Sequence, residues 1–463
     1  MLFNTSQFFV FLAVTLAVFY ASPRAARKYI LLGASYFFYA SWNPKFIALL
    51  LTLTAIDYSA GLALESVRPQ RRKLVLILSL SANLGFLGFF KYYNFLAANL
   101  ATLLGRPPRS FWLDIVLPLG ISFHTFQSMS YVVDVYRGRQ RAIRNPIDYA
   151  LFICFFPQLV AGPIVRARDF FRDLLDWRPP AGDDVGRGLF LMVLGLAKKM
   201  AFADQFAIVA DGYFNDIAAS PGMPAAWCGV FAFGMQIYFD FSGYTDMAIG
   251  MAKLFGFHFP ANFRRPYLAA SITEFWRRWH ISLSRWLRDY LYIPLGGNRH
   301  GAARQYRNLM LTMLLGGFWH GASWNFAIWG GYHGALLSLE RLARGDRPLM
   351  EKRSWLYPLQ AALTFGLVLI GWVFFRAKDL PQSLSIIRRM FAGSAGKMLL
   401  EPWHFGLAGA ALMLALAEER WDWSERVMRS PSWAYAVAVS LMFACIETFG
   451  VVDVSIPFVY FQF

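Results

Sequence analysis

RPQRRKLVLILSLSANLGFLGFF, residues 68–90, sets the fold class: Arg68, Arg71, Arg72 and Lys73 stop abruptly, and a largely apolar run takes over that continues to Leu103. About 20 consecutive, mostly apolar residues let a helix cross the hydrocarbon core of a bilayer. Cations gathered at one end of such a run mark the cytoplasmic side. The alternation recurs along the chain, with apolar stretches near 7–22, 29–42, 46–64, 148–165, 187–211, 225–256, 307–340, 357–375, 404–418 and 432–450. A second basic cluster, Arg137, Arg139, Arg141 and Arg144, follows the segment Phe111–Tyr136. With 57% hydrophobic residues, 16% charged residues and a mean hydropathy of +0.40, the chain is too apolar for a soluble protein of 463 residues. The expectation is an all-α polytopic membrane protein with about eleven transmembrane helices.

The formal net charge of +17, from 45 Lys and Arg against 28 Asp and Glu, would suggest nucleic acid in a soluble protein. Here the cations sit between apolar stretches and face anionic lipid headgroups, which excludes a nucleic-acid partner and makes membrane lipid the partner. Cys154, Cys228 and Cys445 are far apart and read as small buried hydrophobes rather than a disulfide framework. The apolar run Phe8–Tyr20 has no basic residues before it and Arg24, Arg27 and Lys28 after it, the pattern of a retained first helix with its N-terminus outside. Neither a repeat nor a stretch able to hold a soluble core interrupts the pattern, so residues 1–463 are expected to form one membrane domain, with a catalytic core at about 110–340.

Residues 257–306 break the pattern. Arg264, Arg265, Arg277, Arg278, Arg285 and Arg288 alternate there with Trp276, Trp279, Trp286, Tyr290 and Tyr292. Such a mixture suits interfacial helices or a re-entrant segment, because polar backbone at membrane depth must be buried in protein or line a wet cavity. Two of the seven histidines stand out beside it. His280 lies in WRRWHISLS, and His320 lies in LLGGFWHGASWNFAIWGGYHG, residues 314–334, which should otherwise be a span. An ionisable group at the centre of a span costs about 2.5–3.5 kcal/mol on insertion scales for Arg, Lys or Asp, so it is a functional candidate by default. His320 has two readings. It is either a neutral imidazole hydrogen-bonded across helices to a carbonyl or to Asn325, or a base that deprotonates a hydroxyl attacking a thioester. Gly316, Gly317 and Gly321 serve either reading, by permitting close packing or by opening room for substrate. His280 beside Trp and Arg reads as packing or function, His124 as packing, and His258, His300, His333 and His404 offer no further argument.

A second polar knot lies in GMQIYFDFSGYTDMAIGMAKLFGF, residues 234–257, where Asp240, Ser242 and Asp246 interrupt a span. Uncompensated carboxylates do not sit in lipid, so both aspartates should face protein or water, paired with downstream arginines, and hold the site rather than react. HExxH, GxxxxGK[ST] and GxSxG are all missing, as is the HxxxxD pattern of glycerolipid acyltransferases. The histidine spacing suggests no third metal ligand, and no metal is expected.

In these segments the sequence resembles the alginate O-acetyltransferase group of the membrane-bound O-acyltransferases, which is related to the teichoic-acid D-alanylation membrane protein. The resemblance runs in order through MLFNTSQFFVFL (1–12), SYFFYASWNPKF (35–46), LPLGISFHTFQSMSYVVDVYRG (117–138), FFPQLVAGPIVR (155–166), IYFDFSGYTDMAIGMAKLFGF (237–257), residues 262–299, FWHGASWNFAIWGGYHG (318–334) and FVYFQF (458–463). It implies a ring of helices around a thin central region and a bacterial inner-membrane location. It makes His320 the essential histidine and His280 the second signature residue; Asp240, Ser242, Asp246 and Asn325, read from their own polarity within apolar stretches, are expected to support them. It further implies a cytoplasmic acyl thioester donor, acetyl-CoA, with no permanently bound cofactor, and transfer to an exported polysaccharide through a periplasmic SGNH-type partner. Arg277, Arg278 and Arg285 are candidates for donor phosphates or lipid headgroups. Two alternatives stay open: a lipid or small secreted acceptor, and a transporter or scaffold that uses the same cavity.

Overall fold

The computed structural model describes residues 1–160, 162–345, 354–451 and 456–459, and all regular structure among them is helical. The terminal FVYFQF stretch lies outside the described residues except for Phe458 and Val459. The chain divides into two compact units, Met1–Leu189 with Met247–Pro260 and Phe190–Asp246 with Ala261–Phe463.

Among the described residues, four helices are long and apolar enough to cross a membrane: Phe46–Ser66, Pro69–Leu103, Tyr357–Arg376 and Ser432–Phe449. Ser6–Ala21 is apolar but shorter. Their outer faces are greasy: Leu78, Leu363 and Leu441 are each more than 60% exposed, as lipid-facing residues must be. Length and composition therefore support four of the eleven or so expected spans. Pro69 starts its helix where a missing N–H costs nothing. That helix passes through a π turn at Gly88–Tyr92 before continuing as Tyr93–Leu103.

In the first unit, Asp57, wholly buried on the Phe46–Ser66 helix, accepts hydrogen bonds from Ser79 Oγ (2.6 Å), Asn83 Nδ2 (2.9 Å) and Ser128 Oγ. One carboxylate thus ties together the helices Phe46–Ser66, Pro69–Leu87 and Ile121–Tyr136, as polar groups do where the surrounding solvent is hydrocarbon.

Several expected stretches are broken. Residues 148–165 hold the short helices Pro146–Cys154 and Phe156–Leu159, and within Phe111–Tyr136 only Ile121–Tyr136 is helical. The 307–340 stretch is a hairpin of Ala302–His320 and Trp324–Arg344, because Gly321 (φ −166°, ψ 154°) is extended. The two helices meet at backbone distance: a Cβ on Gly317 would lie 3.0 Å from Gly330 Cα, and one on Gly330 would lie 3.0 Å from Leu314 Cα. Between residue 257 and the start of the Ala302–His320 helix there are only short helices, Pro266–Leu268, Ile272–Arg278 and Ile281–Leu287, followed by a π turn at Arg288–Tyr292.

Candidate active site

All the site residues expected from the sequence fall in the second unit. His320 is the last residue of the Ala302–His320 helix and only 6% exposed, so it stands at a break in the helix rather than in the middle of a span. Its ring is boxed by Trp319 (4.8 Å between centroids), Phe375 (5.1 Å) and Trp329 (5.2 Å, edge-on). The His280 ring lies 6.4 Å away. The structure therefore brings together the two histidines that motif reading singled out 40 residues apart.

His280 is fully buried and caps the Ile281–Leu287 helix in the left-handed region (φ 41°, ψ 55°). A side chain there costs about 1–3 kcal/mol, and surrounding contacts must enforce it. They do: Ile281 N–H donates to the Asn262 carbonyl (2.9 Å), while Asn262 Oδ1 accepts from Ser282 N–H (3.1 Å) and Ser282 Oγ (2.9 Å). His280 Nδ1 lies 3.2 Å from the same oxygen. A backbone N–H can only donate, so the atom facing Ser282 is the Asn262 oxygen, and His280 Nδ1 must carry the hydrogen it shares with that oxygen. In the neutral ring the lone pair is then on Nε2. Phe241 packs edge-on against the imidazole at 4.8 Å.

The polar knot around Asp240 and Asp246 is resolved by lysines. Asp246 pairs with Lys198 (2.5 Å) and Asp240 with Lys199 (2.9 Å), correcting the expected pairing with downstream arginines. Lys199 also contacts Asp204 (2.7 Å) and donates to the Ile456 carbonyl (3.2 Å), while Asp240 Oδ2 accepts from Val459 N–H (2.6 Å). This buried cluster pins residues 456–459. It also seats Phe458 against Tyr244 (4.6 Å) and Phe241 (6.0 Å), the ring that touches His280. Ser242 is buried next to Phe241, and its Oγ has no hydrogen-bond partner among the described residues.

Asn325 is buried and its amide donates to the Ala377 carbonyl (2.9 Å). Arg278 is committed to structure through Glu274 (2.5 Å) and Glu419 (3.1 Å), so the expectation that it serves donor phosphates or headgroups fails for that residue. Arg277 and Arg285 are exposed.

Sequence reading passed over three participants. His333, wholly buried, lies 5.0 Å from Trp329 and 5.2 Å from Trp276, and neither ring nitrogen has a hydrogen-bond partner among the described residues. Its position four residues after Trp329 was the available signal, since i and i+4 share a helix face. Lys198 and Lys199 are the others, and two adjacent lysines closing an apolar run could have been matched to the two aspartates. Among the described residues, no group of three or more His, Cys, Asp or Glu side chains is placed to hold a metal ion.

Comparison with known proteins bears on the same segments. The family model described as MBOAT, membrane-bound O-acyltransferase family, matches residues 71–377. The chain is 45% identical over 401 residues to a probable alginate O-acetylase AlgI of Azotobacter vinelandii, covering 85% of this chain and 78% of that protein. It is 40% identical over 433 residues to a peptidoglycan O-acetyltransferase of Helicobacter pylori, covering 84% and 80%. It is 29% identical over 287 residues to a teichoic acid D-alanyltransferase of Bacillus subtilis, covering 57% and 70%.

Proposed function

Because the chain belongs to the membrane-bound O-acyltransferase family and is an O-acyltransferase, we propose that it moves an acetyl group from a cytoplasmic thioester, acetyl-CoA, across a bacterial inner membrane toward hydroxyls of an exported polysaccharide. The observation that carries the reading is the pairing of His280 and His320, 6.4 Å apart in one buried aromatic layer, in a chain whose relatives include alginate and peptidoglycan O-acetylating proteins. The whole chain acts as one membrane domain of about eleven spans.

His320 is the base. Its imidazole nitrogen takes the proton of the acceptor hydroxyl as that oxygen bonds to the thioester carbonyl carbon. The carbon–sulfur bond then breaks, and the leaving thiolate receives the proton from the imidazolium, so the products are an ester and a thiol. His280, with its hydrogen on Nδ1, positions donor or acceptor through Nε2. Asp240, Ser242, Asp246 and Asn325 hold the surrounding helices in place. Arg277 and Arg285, both exposed, meet donor phosphates or lipid headgroups. A separate periplasmic SGNH-type protein carries the acyl group onward to the polymer.

The test is a deletion strain complemented with the wild-type gene, with ester-linked acetyl groups quantified on each isolated envelope and exported polymer. Loss of esters from one polymer, restored by the wild type, identifies the acceptor. Unchanged esters on every polymer refute the polysaccharide reading and leave a lipid or small-molecule acceptor.

A further inference from the structure

In the first unit, where the Ser6–Ala21 helix gives way to the Arg24–Ala40 helix, there is a cavity of about 420 Å³ that the proposed chemistry does not use. Phe19, Leu174, Trp177 and Phe257 supply apolar wall, and Arg24, Arg27, Lys28 and Asp148 supply the charged lining. The volume falls within the roughly 300–1,000 Å³ of small-molecule sites. The charges do not cancel. Lys28 neutralises Asp148 through a 2.7 Å ion pair, which leaves two arginines, and neither has a carboxylate partner among the described residues.

Arg27 is held in place. Its guanidinium lies 4.5 Å from the Trp177 ring centre and 5.1 Å from that of Phe19, and its Nε donates to the Ser22 carbonyl at 3.2 Å. Trp177 is itself fixed, since its indole N–H donates to the Phe255 carbonyl at 2.8 Å. Arg24 lies over the same indole at 5.9 Å. Two guanidinium groups converging on one aromatic ring, half enclosed and without an acidic partner, make a fork suited to phosphate oxygens.

The helix that contributes Phe19 to the cavity wall also carries an exposed apolar stripe. Val10, Val14 and Val18 are 64%, 57% and 46% exposed and repeat every four residues, so they form one apolar stripe on the Ser6–Ala21 helix that ends one residue before Phe19 in the chain. A phosphate-binding head and an apolar track describe a phospholipid, not a free phosphate. We propose that this cavity binds the headgroup of an anionic phospholipid, its phosphodiester on Arg24 and Arg27 and an acyl chain along the valine stripe.

The purified full-length protein in neutral detergent provides the test, with thermal unfolding and lipid retention by native mass spectrometry as readouts. Phosphatidylglycerol is expected to raise the melting temperature and to be retained, while phosphatidylcholine does neither. Arg27→Gln and the more exposed Arg24→Gln should each weaken phosphatidylglycerol retention at least about tenfold, the equivalent of one lost charge-assisted contact. Arg27→Lys should keep part of it. If Arg27→Gln does not fold, Arg24→Gln decides. Equal stabilisation by phosphatidylcholine, or unchanged retention in both glutamine variants, would overturn the proposal. So would equal stabilisation by inorganic phosphate or acetyl-CoA without lipid, which would assign the site to a soluble phosphate compound.

Discussion

Asn262→Ala is the perturbation for which the structure gives the sharpest expectation. The side-chain oxygen of Asn262 takes three hydrogens, from Ser282 N–H, Ser282 Oγ and His280 Nδ1, and the residue is 1% exposed. At about 1 kcal/mol net per bond, their loss should destabilise the protein by about 3 kcal/mol. Ser282→Ala removes only the hydroxyl bond and should cost about 1 kcal/mol. The larger consequence is chemical. Without its acceptor, the His280 ring is free to turn and to exchange its tautomer. Loss of the comparable orienting hydrogen bond to a metal-bound histidine typically costs about 10–100-fold, which sets the scale for a positioned imidazole. Acetyl transfer in isolated membranes should therefore fall by about that factor in Asn262→Ala and much less in Ser282→Ala, at a temperature where thermal unfolding shows both variants folded. If the two variants lose stability equally, or Asn262→Ala transfers at the wild-type rate, the orienting role of Asn262 is refuted.

Three further outcomes follow from the same contacts. His280→Gly relieves the left-handed backbone that His280→Ala retains, so it should be the more stable of the two by about 1 kcal/mol in thermal unfolding, while both lose transfer; retained transfer in His280→Gly would show that the imidazole is dispensable. Asp240→Ala leaves Lys199 short of a buried partner, and at about 3–5 kcal/mol it should free residues 456–459 for limited proteolysis, whereas an unchanged cleavage pattern would mean that the ion cluster does not hold them. Asp57→Ala breaks three interhelical hydrogen bonds, each worth about 0.6 kcal/mol within a membrane, and should lower stability by only about 2 kcal/mol without altering acetyl transfer per folded molecule.

The parts of the site legible in the sequence were those written in short, costly motifs. His320 in FWHG and His280 in WRRWH announced themselves because an ionisable ring amid glycine, tryptophan and apolar residues needs a reason. The break after His320 was not legible, since Gly321, Ala322 and Ser323 are compatible with a continuing span; it arises because Gly317 and Gly330 let two helices fold back at backbone contact. Those glycines favour the packing role over the open-room role at Gly317. The lysine partners of Asp240 and Asp246 were missed because the pairings reach back 41 residues to Lys199 and 48 to Lys198 and follow from how helices pack, not from local spacing. Arg278 shows the opposite failure. Glu274 four residues before it is a readable helical pair, yet the arginine stood among the candidates for donor phosphates or lipid headgroups. Asp57 went unnoticed inside an otherwise clean span, where its three donors come from two other helices.

The most direct measurement is acetyl transfer by membranes carrying wild type or His320→Ala, supplied with labelled acetyl-CoA, with both proteins matched for folded amount by size-exclusion chromatography. If His320 is the base, the variant loses transfer by about 10²–10⁴-fold, the range that general-base catalysis contributes. Transfer at the wild-type rate would contradict that assignment and turn the search toward His280 and the buried His333.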